Sequence, residues 1–346
     1  MDELICGFDA LYQSHLKSQQ DVIWKDSVAH YSLHALENTL KLSNELRDGR
    51  YKARPPITFT ITKPKQRDIL AVAYRDRVYQ RSINDLVLYP TMVKSFIKEN
   101  GACQIGKGID YEREIFKSYL RKYYINYGLD GYILQIDIKK YYQSMKHSEV
   151  LKCFEKKLDS VHYEMVRDVL DNQYKGDVGY RAGSQMVQIA GISFLNGVDH
   201  FSKEKLHLKY YVRYMDDIVI VHHDKEYLEY CKEEISKELN MIGLSMHEKK
   251  TKITELKDGI TFLGFVWRIT DTGKVLQLIK SQTIKDLKHS INKLLKLCSD
   301  GKRTVQCVEN SYQTRRSYIA KGNSYKLLQR LDKWYEERKR YYGIKT

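Results

Sequence analysis

The chain has 346 residues, 42% hydrophobic and 30% charged, which is enough apolar content for two or three packed cores and excludes a disordered tail. Its 59 Lys and Arg against 44 Asp and Glu leave a formal charge of +15, which favours a polyanionic partner, nucleic acid ahead of an anionic membrane surface. No apolar run reaches the roughly eighteen residues of a membrane span, the first thirty residues lack the pattern of a secretory signal, and the six cysteines show no C-x-x-C or ligand-spaced His; a reduced, cytoplasmic protein is expected.

In chain order, Val28, Tyr31, Leu33, Leu36, Leu40, Leu42 and Leu46 recur at helical spacing, and Arg47-Asp48-Gly49-Arg50 ends that helix. After Pro55-Pro56, residues 57–62 alternate and are rich in β-branched side chains, which predicts a strand. Residues 74–97 read as helix interrupted at Pro90, and Gly101, Gly106 and Gly108 mark a loop. The apolar run 131–138 carries Asp137 near its end, the pattern of a buried strand that delivers a carboxylate to a sheet edge. Strands over 209–213 and 218–222 flank Tyr214-Met215-Asp216-Asp217, a hairpin connection with two adjacent acids. Residues 261–268 and 275–279 predict a last strand pair that closes the sheet. Beyond it, Ile284, Leu287, Ile291, Leu294, Leu295 and Cys298 form a helical stripe. Residues 281–346 hold sixteen Lys and Arg against six Asp and Glu, with Tyr312, Tyr318, Tyr325 and Trp334 interleaved among Arg315, Arg316 and Lys326, a pattern suited to phosphate, sugar and base contacts. The histidines His222-His223 and His30 with His34 have no third ligand nearby and are not read as a metal site.

Phosphoryl transfer onto a 3′-hydroxyl uses two divalent cations about 4 Å apart, held by hard carboxylate oxygens on rigid strands. Asp137, Asp216 and Asp217 supply such oxygens. An Asp-Asp pair is ordinarily a solvated turn, but Tyr211-Val212-Arg213-Tyr214 and Ile218-Val219-Ile220-Val221 bury this one in a sheet, where two like charges need a cation.

These residues resemble the reverse transcriptases over nearly the whole chain. Tyr214-Met215-Asp216-Asp217 is similar to the family's Y-x-D-D box, and Ile136-Asp137-Ile138-Lys139-Lys140-Tyr141-Tyr142 to its first catalytic box. Lys63-Pro64-Lys65-Gln66-Arg67 and Arg75-Asp76-Arg77-Val78 resemble the fingers motifs, Gly243-Leu244-Ser245 with Lys250-Thr251 a later motif, and Phe262-Leu263-Gly264-Phe265 the primer grip. The resemblance implies an α+β right-hand polymerase: a helical N-terminal extension over 1–50, fingers over 51–128, an antiparallel-sheet palm over 129–279 with a helical part around 145–205, and a basic helical thumb over 280–346.

It also implies roles. Asp137, Ile138, Asp216 and Asp217 would hold two Mg²⁺ ions, or Mn²⁺ in their place, and Lys250 would act as general acid for the departing pyrophosphate. Lys63, Lys65 and Arg67 would clamp the triphosphate of a dNTP, and Tyr142, five residues after Asp137, would exclude a 2′-hydroxyl. Gly183 would let the backbone approach nucleotide or template, with Gln188 beside it. Phe262, Leu263, Gly264, Arg315 and Arg316 would contact the RNA template and the DNA primer or product; a structured non-coding RNA or an accessory protein are further partners to expect. Within the family, Gly106-Lys107-Gly108 and the Gly183 to Gln188 run resemble enzymes of diversity-generating retroelements and related bacterial defence systems, bacterial or phage-encoded. Ala182, where other families carry Gln, and Val187, where diversity-generating enzymes carry Ser, imply low copying fidelity. An RNA-directed RNA polymerase and an idle RNA-binding scaffold stay open as alternatives; Tyr142 argues against the first and the retained acids against the second.

Overall fold

The computed structural model describes residues 2–62, 66–181 and 183–344. The chain packs as two compact units, one from residues 1–112, 135–219 and 229–252, the other from residues 113–134, 220–228 and 253–346.

The first unit begins with short helices, among them Phe8–Ser18, Asp26–Leu33 and Ala35–Arg47. The single helix expected over 28–48 is two, because His34 leaves helical geometry at φ −124° and ψ 42°. Of the predicted stripe, Val28, Tyr31, Leu42 and Leu46 are buried, whereas the break turns Leu33, Leu36 and Leu40 to solvent. Strands β1 (Ile57–Ile61) and β2 (Arg67–Ala71) pair antiparallel with Ile61 opposite Arg67, so Arg67 opens the returning strand. Pro90 does not interrupt the next helical run. A π turn over Asn84–Leu88 follows the helix Tyr74–Ile83, and Pro90 falls in the first turn of Tyr89–Met92, where its missing N–H costs least.

A four-stranded sheet has the order β4-β5-β3-β6, with β3 (Tyr132–Asp137), β4 (Tyr210–Tyr214), β5 (Asp217–His222) and β6 (Lys252–Glu255). Ile133, Leu134 and Ile136, and all of Ile218, Val219, Ile220 and Val221, are buried, as expected of central strands covered on both faces. β6 escaped the sequence reading because its four residues, two of them charged, carry neither an apolar run nor alternation. The helix Gln185–Phe194 buries nearly its whole circumference, Val187 included.

In the second unit, β7 (Ile260–Phe262), β8 (Phe265–Ile269) and β9 (Val275–Ile279) form a sheet of their own. This corrects the expectation that residues 261–268 make one strand closing the larger sheet. Leu263 and Gly264, both at positive φ (47° and 86°), fold that segment into a two-residue hairpin turn whose twist matches its strands. Three helices follow, Ser281–Ser299, Val305–Ala320 and Tyr325–Tyr341. They bury Leu287, Ile291, Leu295, Val308, Tyr312, Ile319, Leu331 and Tyr335; full burial of such a Leu or Ile contributes roughly 1.5–3 kcal/mol. No described helix is long and apolar enough to cross a membrane.

Glu112 of the first unit has no solvent exposure, and among the described residues no side chain hydrogen-bonds its carboxyl oxygens. Burial pushes its pKa up to about 8 from 4.5, so the folded chain keeps a proton there at neutral pH that the unfolded chain releases. That contribution to stability is complete below the unfolded value and is lost as pH rises through the folded one, at a cost of about 1.4 kcal/mol per pH unit at most. Stability of the wild type should therefore fall between pH 5 and 8, and Glu112→Gln should flatten the decline. Chemical denaturation across that range checks it; the same slope in both proteins would assign the titration to another group.

Candidate active site

β3 delivers Asp137 to its C-terminal end, and a returning segment fixes what faces it. The His247 amide donates to the Asp137 carbonyl at 2.7 Å, the Lys139 amide to the Ser245 carbonyl at 2.9 Å, and the Asp137 amide to Thr251 Oγ1 at 3.3 Å. This pairing carries the Lys250 ammonium to 3.2 Å from both carboxylate oxygens of Asp137. Ile138 lies opposite Met246 in an antiparallel bridge whose hydrogen bonds belong to the residues on either side. The carbonyl of Ile138 therefore points away from that partner.

Between β4 and β5, Met215 and Asp216 form a two-residue turn. Met215 is left-handed at φ 57°, which opposes its Cβ at a cost of roughly 1–2 kcal/mol, and the hairpin needs a positive φ there to follow the strand twist. Asp216, partly buried, follows directly. Burial pushes its carboxyl above the ordinary carboxylate range and the Asp137 charge adds to the push; its own backbone amide, Arg67 and Lys250 oppose it. Two carboxylates thus act on each other with two cations close enough to respond.

Lys140, left-handed at φ 46°, turns the chain from β3 into the short helix Tyr141–Ser144. Tyr141 is buried and its hydroxyl donates to the Gly191 carbonyl. Tyr142 is partly buried against Gly191, where a Cβ would come within 2.7 Å of its hydroxyl. Burial pushes the Tyr142 phenol up, with smaller contributions from Cys103 and Asp216.

Gly183 at φ 145° closes on β2: a Cβ there would meet the Leu70 carbonyl oxygen at 2.1 Å. Contact with this neighbouring strand leaves no room for a Cβ at this position. Gln188 is exposed on the helix that follows. Lys63, Lys65 and Ala182 lie outside the described residues.

Among the described residues no group of three His, Cys, Asp or Glu side chains is gathered as a ready-made metal cluster. Asp137 and Asp216 act on each other, and Asp217 is the next residue of the hairpin. They fit a divalent cation on two grounds. Burial first, and the Asp137 charge after it, disfavour the ionised form of Asp216, and an ammonium sits on both oxygens of Asp137 where a hard cation would bind.

Within the second unit, the hairpin of Phe262, Leu263 and Gly264 is rigidly held. Phe262 is buried, Arg113 Nε and Nη2 donate to the Leu263 carbonyl at 3.1 and 2.6 Å, and the Tyr318 hydroxyl donates to the Gly264 carbonyl at 3.2 Å. A Cβ at Gly264 would meet that hydroxyl at 2.3 Å. The basic helices are partly tied up within their own bundle. Arg316 forms a two-pronged ion pair with Asp332 at 2.7 and 2.8 Å that joins two helices of the bundle. Tyr312 and Trp334 pack inward and Tyr318 stacks on Phe265, leaving Arg315 and Tyr325 exposed. The sequence reading missed Arg213, Asp199 and Arg113. An arginine inside the apolar run 210–214 was the available signal, since a buried charge requires a buried partner.

A family model described as reverse transcriptase (RNA-dependent DNA polymerase) matches residues 64–267, more than half of the chain. The chain belongs to the reverse transcriptase family. No individual curated protein matches the sequence. Among solved structures it is similar to telomerase from Candida albicans in complex with a TWJ fragment of telomeric RNA, with a TM-score of 0.52 and 15% identity over 83% of this chain and 61% of that one. The chain thus spans about three-fifths of that protein's length, and the likeness is one of fold, in agreement with the expected α+β right-hand polymerase. The reverse transcriptase match includes Asp137, Asp216 and Lys250 and ends before β9 and the three basic helices.

Proposed function

We propose that this reverse transcriptase copies RNA into DNA by two-metal-ion nucleotidyl transfer centred on Asp137 and Asp216. The observation that carries the reading is the raised carboxyl of Asp216 facing Asp137, with Lys250 bound to the latter. Asp137 and Asp216 would hold the cations, with the Ile138 carbonyl and Asp217 as further oxygen donors. When bound, two Mg²⁺ ions, or Mn²⁺, lower the pKa of the primer's 3′-hydroxyl and neutralise charge developing on the pyrophosphate. Lys250, paired with Asp137, would give a proton to that leaving group. The Arg67 guanidinium would grip triphosphate oxygens with its fork, helped by Lys63 and Lys65. Gly183 and Gln188 would border the nucleotide. Phe262, Leu263 and Gly264 would seat the primer strand, and Arg315 would contact a phosphate of the RNA and DNA duplex.

For the four-part layout, extension, fingers, palm and thumb, the reading rests on motif order. The setting we favour is a diversity-generating retroelement or a bacterial defence system, with a structured RNA as template source. Gly106-Lys107-Gly108 and the run from Gly183 to Gln188 support it.

Primer extension on an RNA template with dNTPs tests the reaction. Asp137→Asn and Asp216→Asn should each reduce synthesis to background, because an amide cannot replace an anionic ligand of Mg²⁺; full-rate synthesis by either variant would remove it from the site. Tyr142→Ala should raise ribonucleotide use relative to deoxyribonucleotide use by about tenfold or more, with a smaller loss in deoxyribonucleotide turnover. Competing incorporation of the two sugars measures this, and an unchanged ratio would return Tyr142 to a packing role.

A further inference from the structure

Arg213, Asp199 and Tyr211 have no solvent exposure. Asp199 takes one edge of the Arg213 guanidinium, Nε donating to Oδ1 at 2.6 Å and Nη2 to Oδ2 at 2.5 Å, and Oδ1 also accepts the Tyr211 hydroxyl at 2.7 Å. Nη2 reaches the Ile192 carbonyl as well, at 3.1 Å, and the Arg213 backbone amide donates to the Glu99 carbonyl at 2.9 Å. These contacts leave the guanidinium a single orientation. In it, the remaining arm, Nη1, donates to the carbonyl of Met215 at 2.9 Å.

An ion pair sealed in a core is a poor way to gain stability, since apolar side chains of similar volume usually serve as well or better. The arm to Met215 gives this pair another use. Met215 holds a left-handed conformation that its Cβ opposes, and its carbonyl belongs to the rigid peptide plane that enters Asp216. A donor fixed in the core fixes that plane, and with it the starting direction of the Asp216 side chain. Neither Asp199 nor Tyr211 reaches the turn; they orient and neutralise the group that does.

We propose that Arg213, oriented by Asp199 and Tyr211, is a positioning residue that holds the left-handed turn at Met215 and so aims the Asp216 carboxylate at its cation. The inference rests on the reading of Asp216 as a metal ligand.

A two-by-two comparison tests it: Arg213→Lys, which keeps the buried charge but loses the fork, made in the wild type and in the Met215→Gly background, where glycine takes the left-handed conformation unaided. Mn²⁺ affinity is read by paramagnetic resonance titration, single-nucleotide incorporation in the same preparations, and folding by thermal melts. In the wild-type background Arg213→Lys should weaken Mn²⁺ binding by about tenfold and slow incorporation at least as much, with the apparent dNTP affinity little changed. In the Met215→Gly background the same substitution should cost less than about a third as much. Equal losses in both backgrounds, or a lower melting temperature with unchanged Mn²⁺ affinity, would reduce Arg213 to a structural role and overturn the proposal. If Arg213→Lys does not fold, Arg213→Gln with Asp199→Asn removes both charges and repeats the comparison; failure of that pair to fold too would also assign Arg213 to folding alone. Mn²⁺ binding by a wild type that extends no primer would reject the polymerase reading, yet the affinities would still decide the role of Arg213.

Discussion

Two carboxylates meet at one end of the four-stranded sheet of this reverse transcriptase, and the arrangement opposes itself. Asp216 sits partly out of water, and both that burial and the charge of Asp137 disfavour its ionised form. The surrounding elements can be understood as ways of maintaining this conflict. β3 ends at Asp137, the segment that returns through Ser245 and His247 locks it from one side, and the Lys250 ammonium lies on its oxygens. Arg67, at the start of β2, adds a second positive charge. A site that keeps like charges together with cationic side chains beside them is prepared for a ligand of higher charge.

The same solution to a backbone problem occurs twice. At Met215 and at Leu263 a hairpin places a residue with a Cβ at positive φ, and in each case that residue's carbonyl accepts hydrogen bonds from an arginine. Arg213 reaches its turn from the buried core of the first unit. Arg113 reaches the other within the second unit, its guanidinium also lying 4.5 Å from the centre of the Phe265 ring. Strained backbone persists where its surroundings over-determine it, and strain of this kind concentrates at functional turns. One of these turns carries an acid of the pair, and the other is the hairpin read as the primer grip.

Much of this was legible in the chain itself, for identifiable reasons. Asp137 and the Asp216-Asp217 hairpin stand out because long apolar runs bracket them, and burial of the runs forces the acids into one neighbourhood. The partner of Arg316 was not legible, because a basic helical residue looks the same from sequence whether or not an acid on another helix pairs with it; Asp332 lies sixteen positions away. The glycine at 183 announced a close approach but not to what, and Leu70 is more than a hundred residues distant. The hairpin hidden in 261–268 required a leucine at positive φ, which residue preferences disfavour, so only the backbone revealed it.

If the acid pair is held against its own repulsion for the sake of a cation, melting temperature with and without Mg²⁺ reads that directly. Without divalent cation, Asp216→Asn should melt above the wild type, because the amide removes a disfavoured charge beside Asp137. With Mg²⁺ added, the wild type should gain stability as the bound ion shifts the equilibrium, while Asp216→Asn should gain little. A wild type indifferent to Mg²⁺, or an Asp216→Asn protein less stable than wild type in its absence, would contradict the account.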